Sequence, residues 1–153
     1  MEPVDVTTVI KEAVASARAA GPDHEISMEL PDDDFFVLGD SLRVHQVVAN
    51  LLANARVHTP AGTKVSVRAR QDDSGTYISV TDNGPGLSEE AQAKIFERFY
   101  RADSSRVRNG VEGTGLGLSI VDAVMSAHGG NVTVQSELGK GATFTLFFPM
   151  RDQ

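Results

Sequence analysis

The sequence predicts an α/β sandwich: a mixed, mostly antiparallel sheet with helices layered on one face. Three observations carry that expectation. Apolar residues recur at helical spacing in two long segments, 6–19 and 41–57. Short runs rich in β-branched and aromatic residues, among them 64–70, 76–81, 131–136 and 142–149, are bounded by turn residues. Helical and extended segments are interspersed, and several strands are joined by turns short enough for antiparallel neighbours.

After a short extended "PVDV", Val6, Val9, Ile10, Ala13, Val14 and Ala17 line one helical face. Asp5 is placed to cap that helix and Gly21-Pro22 to stop it. "EISMEL" (25–30) and "FFVL" (35–38) read as strands separated by the acidic turn "PDDD". Asp40-Ser41 opens the second helix, which puts Val44, Val47, Val48, Leu51, Leu52 and Ala55 on one side and ends at "TPAGT". "QDDSG" turns between the next two strands, and "DNGPG" breaks the second of them. Ser88 is a candidate cap for a helix with Glu89 and Glu90 in its first turn. Residues 101–112 are polar, irregular and long for a loop. A further helix opens among alternating glycines and closes at Gly129-Gly130, and "NVTVQS", "ELGKG" and "ATFTLFFP" finish as a hairpin.

The 153 residues suit one domain, 1–153, with a real core. A net charge of −7 without a Lys/Arg cluster argues against a nucleic-acid partner. The absence of cysteine rules out a disulfide framework and thiolate chemistry. No apolar run is long enough to span a bilayer.

Four motifs bear on chemistry. Asn50 and Asn54 are four apart and share a helix face with Arg43 and Gln46. That stripe is either a solvated polar face or a carbonyl donor for a hard cation such as Mg²⁺, which takes oxygen ligands. "TDNGPG" (81–86) is either a plain turn or a site in which Asp82 accepts from an exocyclic amine. In the second case Gly84 and Gly86 let a flat ring approach the backbone. "IFERFYR" supplies Phe96 and Phe99 to the core, and Arg101, Arg106 and Arg108 follow it as guanidinium forks suited to phosphate. Gly113, Gly115 and Gly117 look like a phosphate cradle, yet Leu116, Gly117 and Leu118 stand where a P-loop has Gly-Lys-Ser/Thr. Their place at a helix start offers free N–H groups and the helix dipole instead. His128 is expected to be structural, at a helix end where a cation suits the dipole, and His24 and His45 are expected on the surface.

Together, "NLLANA", "DNGPG", "FERFYR" and "GTGLGL" resemble, in order and separation, the N, G1, F and G2 boxes of the ATP-binding catalytic domain of sensor histidine kinases. The resemblance runs over nearly the whole chain and implies the Bergerat (GHKL) ATP-binding fold. It implies that Asn54 ligates Mg²⁺ at the phosphates and that Asp82 accepts from the adenine amine, with Gly84 and Gly86 shaping the pocket. Residues 101–112 correspond to the ATP lid. Gly113, Gly115 and Gly117 form its phosphate-facing hinge, with Leu116 among the nucleotide-binding residues, and Thr143 helps to hold adenine. The catalytic set is Asn50, Asn54, Arg101 and Arg106.

One departure stands out. Where the family often has a lysine or arginine and then a tyrosine, this chain has Val57 and His58, and Arg56 comes one place early. Phosphate charge then falls to Arg101, Arg106 and His58. ATP-hydrolysing relatives and the serine kinases of this fold carry a glutamate where Asn50 stands. An amide cannot take a proton from water or a serine hydroxyl, whereas an imidazole acceptor already offers a lone pair. The expected activity is therefore that of a protein-histidine kinase. The alternatives are an ATPase, a serine kinase, or a nucleotide-binding module without transfer.

None of the four histidines lies in the "HE…P" context of the family's phosphoacceptor. The implied partners are thus a separate dimerisation and phosphoacceptor domain and, downstream, a response regulator. The isolated domain is expected to be monomeric. The resemblance implies a cytoplasmic location, in a parent protein anchored in the membrane.

Overall fold

The computed structural model describes residues 1–97 and 117–150. Among these residues the elements run β1 (Glu2–Asp5), α1 (Val6–Ala20), β2 (Glu25–Glu29), β3 (Phe36–Gly39), α2 (Ser41–Val57), β4 (Lys64–Asp72), β5 (Gly75–Asp82), α3 (Glu89–Lys94), α4 (Gly117–Ala127), β6 (Asn131–Ser136) and β7 (Ala142–Pro149).

The caps are those the sequence marks. Asp5 accepts from the Thr8 N–H at 3.2 Å, Asp40 from Leu42 and Arg43 at 3.0 and 3.2 Å, and Ser88 from Ala91 at 3.1 Å. Each carboxylate or hydroxyl satisfies helix N–H groups that have no partner within the helix.

Five strands form one sheet in the order β2-β4-β5-β7-β6, in which only the β2–β4 pair is parallel. Strand alternation sends Ile26, Val65, Val67, Ile78, Val80, Phe144 and Leu146 into the core. Val9, Ile10, Val14, Val44, Val47, Leu51, Val121 and Met125 meet them from α1, α2 and α4. This is the α/β sandwich expected, with helices on one face.

The acidic turn "PDDD" does not make a hairpin. It carries the chain out of the main sheet, and β3 pairs instead with β1 in a separate antiparallel ribbon, Glu2 opposite Gly39 and Asp5 opposite Phe36. "PDDD" offers no glycine or asparagine for the positive φ of a tight hairpin turn. The consequence for the site is direct: β1 runs into α1 and β3 into α2, the helix that carries Asn50 and Asn54.

Candidate functional site: a buried carboxylate at the end of a strand

Asp82 is the last residue of β5, on the helix-facing side, and is 8% exposed. Its Oδ1 accepts from the Gly84 N–H at 2.9 Å. Burial holds the carboxyl above the usual carboxylate value, opposed by the N–H groups of Gly84 and Ala142 and more weakly by His24. Oδ1 is thus committed to the turn, and the lone pairs not facing Gly84 or Ala142 are the acceptor capacity left for a ligand.

The turn after Asp82 is tightly built. Asn83 locks onto the start of β4, its Oδ1 accepting from the Lys64 N–H at 2.8 Å. A Cβ on Gly84 would come within 2.7 Å of Thr59 Cγ2 and 3.1 Å of Asp82 Oδ1. Gly86 has φ +76°, and a side chain there would strike the Glu137 carbonyl. Gly141 has φ +83° and presses on the Asp82 carbonyl. Ser136 clasps the two turns together, accepting from the Leu87 N–H at 2.8 Å and donating to the Gly141 carbonyl at 2.7 Å. Gln92 adds bonds to the Leu87 and Ser136 carbonyls, both at 3.0 Å.

On α2, Asn50 and Asn54 share a face. Asn50 Nδ2 donates to the Gly117 carbonyl at 3.3 Å, which joins α2 to the start of α4. The Asn54 side chain is half-buried and makes no hydrogen bond among the described residues. Its amide oxygen is a donor of the kind Mg²⁺ accepts alongside phosphate oxygens and water, so the residues present fit that ion. His58 caps the same helix, exposed, its N–H bonded to the Asn54 carbonyl at 3.1 Å. Arg56 lies two residues from Asn54 and so on the other side of the helix. Its stem packs on Gly21 at the end of α1. A Cβ on Gly117 would meet nothing within 4 Å, so packing among the described residues does not require glycine there.

Several expectations need correction. Thr143 is not brought to Asp82. The direct cross-strand partner of Asp82 is Ala142, and Thr143 pairs with Thr81, their hydroxyl oxygens 3.0 Å apart. Side chains alternate along a strand, so Thr143 and Asp82 face opposite sides of the sheet. His24 is buried rather than superficial, and His45 is partly so. His128 is structural but not placed as a cation. Its Nδ1 faces the Val124 carbonyl at 2.8 Å and its Nε2 accepts from the Asp40 N–H at 3.1 Å, the pattern of a neutral ring with its proton on Nδ1. Phe96 packs edge-on to Phe144, as a core residue should. Phe99, Arg101, Arg106, Arg108, Gly113, Gly115 and Leu116, with the lid segment 101–112, lie outside the described residues.

Sequence reasoning missed Thr59, Ser136, Gln92 and Gly141, and misplaced His24. Only Gly141 carried a local signal, as one of two glycines flanking Lys140 in a hairpin turn.

Comparison with known proteins bears on the family and the fold. Residues 39–152 match the family described as histidine kinase-, DNA gyrase B- and HSP90-like ATPase. The structure of the mycobacterial sensor histidine kinase MprB superposes with a TM-score of 0.86 at 34% identity, covering 99% of this chain and 100% of that one. The catalytic domain of histidine kinase ThkA does so with 0.82 at 27% identity, covering 97% and 96%. Over 137 residues, 90% of this chain, the sequence is 48% identical to the probable sensor histidine kinase TcrY of Mycobacterium tuberculosis. It is 39% identical over 150 residues, 97% of this chain, to the sensor-like histidine kinase SenX3 of Mycolicibacterium smegmatis. The chain spans 29% and 39% of the length of these two relatives. The chain therefore belongs to the histidine kinase-, DNA gyrase B- and HSP90-like ATPase family, as an ATP-binding catalytic domain of the sensor histidine kinase type.

Proposed function

We propose that this domain binds Mg·ATP between the Asp82 turn and α2 and delivers the γ-phosphoryl group to a histidine on a separate dimerisation and phosphoacceptor domain, for relay to a response regulator. The observation that carries the proposal is the buried Asp82 carboxylate. One of its oxygens is held by Gly84, and the neighbouring backbone is stripped of side chains at 84 and 86. Such an acceptor suits the exocyclic amine of adenine, and the glycines let Thr59 and the Glu137 carbonyl close in on the turn that holds it.

In this reading Asn54 would hold Mg²⁺ through its amide oxygen, and the ion would supply charge to offset the phosphates. His58, Arg101 and Arg106 supply further positive or donor groups toward the phosphates. Gly113, Gly115, Leu116 and Gly117 supply backbone N–H groups at the entrance to α4. Residues 101–112 cover the bound triphosphate. Asn50 holds the Gly117 carbonyl and so fixes that entrance against α2. As an amide it provides no base for water, which favours transfer to an imidazole over hydrolysis.

The proposed parent protein is membrane-anchored with this domain in the cytoplasm. The isolated domain, 1–153, is proposed to be monomeric and to have no nucleic-acid partner. The test is calorimetric binding of Mg·ATP to this chain, followed by transfer of labelled γ-phosphate to a separately supplied helical hairpin bearing the acceptor histidine. Transfer with little phosphate release supports the reading, and brisk hydrolysis without transfer refutes it.

A further inference from the structure

His24 sits in the turn between α1 and β2, far in sequence from every motif of the nucleotide site, yet it is 8% exposed. Its Nε2 lies 2.8 Å from Thr59 Oγ1 and 3.3 Å from the Thr59 carbonyl. The Thr59 hydroxyl donates its one proton to the Ala55 carbonyl at 2.6 Å. Its oxygen must therefore accept from His24, which puts the imidazole proton on Nε2. Nδ1 is buried with no hydrogen-bond partner among the described residues. An imidazole kept at that cost calls for a function.

Both hydrogen bonds of the Thr59 hydroxyl are now fixed, and with them the rotamer. Its methyl Cγ2 is thereby turned onto Gly84, where a Cβ would come within 2.7 Å of it. Gly84 in turn donates the N–H that orients Asp82 Oδ1. The backbone reinforces the same link, since the Gly62 N–H donates to the Asp23 carbonyl at 2.8 Å and ties the two loops together.

We infer that His24 is a positioning residue for the purine pocket. By holding Thr59 in one rotamer it sets the floor beneath Gly84, and so aims the Asp82 carboxylate at the exocyclic amine of the base. The inference rests on the nucleotide reading proposed above. A residue that only stabilises the fold would weaken all nucleotides alike, whereas one that aims Asp82 acts on the amine contact.

The test compares Mg·ATP with Mg·ITP, which carries a 6-oxo group in place of the amine, using the full 153-residue chain. His24→Leu removes the donor, and His24→Gln retains an N–H that can reach Thr59. Thr59→Val keeps the methyl and loses the hydroxyl. With one hydrogen bond of ordinary strength lost, His24→Leu should weaken ATP about 3- to 10-fold and leave ITP within about twofold. His24→Gln should restore most of the ATP affinity. Thr59→Val should show the same selective loss, and combining it with His24→Leu should add little, because both break one link. If His24→Leu does not fold, His24→Gln and Thr59→Val carry the comparison. A folded His24→Leu with wild-type ATP affinity overturns the inference. So does equal weakening of ATP and ITP, or a Thr59→Val protein indistinguishable from wild type. An unmodified chain that binds neither nucleotide overturns the nucleotide reading, and the inference with it.

Discussion

Replacing Asp82 by asparagine separates the two roles of that carboxylate. Asn is nearly the same shape, and its carbonyl can take over the 2.9 Å bond from the Gly84 N–H. That choice forces the NH₂ group toward the ligand, where it would meet the adenine amine donor to donor. Losing a hydrogen bond to a charged acceptor costs about 1.5–3 kcal/mol, so ATP should bind about 10- to 150-fold more weakly. ITP presents an oxygen at the same place and should lose far less, so the preference between the two should narrow or invert. Stability should move the other way. Burial raises the Asp82 carboxyl above its unfolded value of 3.8. The folded chain therefore holds that proton more tightly than the unfolded one. The carboxyl's contribution is fully present below pH 3.8 and is lost as pH rises through the raised folded value. Relative to wild type, Asp82→Asn should gain stability across that window and keep a constant advantage above it. Calorimetric titration with both nucleotides, and thermal melts of the ligand-free proteins against pH, would measure this. Unchanged ATP affinity in a folded Asp82→Asn protein would refute the purine-acceptor role. A pH-independent stability difference would refute the buried-charge argument.

Other outcomes follow from the same geometry. Asn54→Ala should weaken Mg·ATP while leaving metal-free adenosine binding near wild type, and chelating the metal should erase the difference between the two proteins. Asn50→Glu should raise ATP hydrolysis within the ~10²–10⁴ of a positioned base. It should also loosen the α2–α4 contact, because a carboxylate would face the Gly117 carbonyl; phosphate release and melting temperature report the two effects. Gly141→Ala should cost about 1–2 kcal/mol for its left-handed backbone alone and more for its collision with Asp82, so melting temperature and ATP affinity should fall together. Leu51→Ala, at a fully buried point of α2, should cost about 2–5 kcal/mol, seen in denaturant unfolding with the midpoint lowered.

What could be read in advance was what chain neighbours determine. Asp5, Asp40 and Ser88 cap the helices that follow them, because a cap acts over three residues. Asp82 and its glycines were legible for the same reason, as was the polar stripe of Asn50 and Asn54. What was missed or left open depends on pairing over distance. Whether "FFVL" joins "EISMEL" or "PVDV" is decided by packing across the molecule. Thr143 differs from Ala142 only by register, and a shift of one residue exchanges the faces of a strand. His24 is bonded to a residue 35 positions away, and nothing in "GPDHE" announces it.

The ribbon of β1 and β3 has a mechanical meaning. Asp5 is at once a strand residue and the cap of α1, and Gly39 of β3 is followed at once by Asp40, the cap of α2. There is no slack at either joint. A torque applied at Glu2 would pass along the paired strands and into α2, reaching Asn54 about 20 Å further on at 1.5 Å of rise per residue. In an assembly that twists or pulls on this strand, the ribbon would serve as a crank, and the Asn54 face of α2 would be the part it turns. Two glycines inserted between Gly39 and Asp40 would uncouple the ribbon from α2 while leaving Asp5 to cap α1 and the Asp82 turn unchanged in sequence.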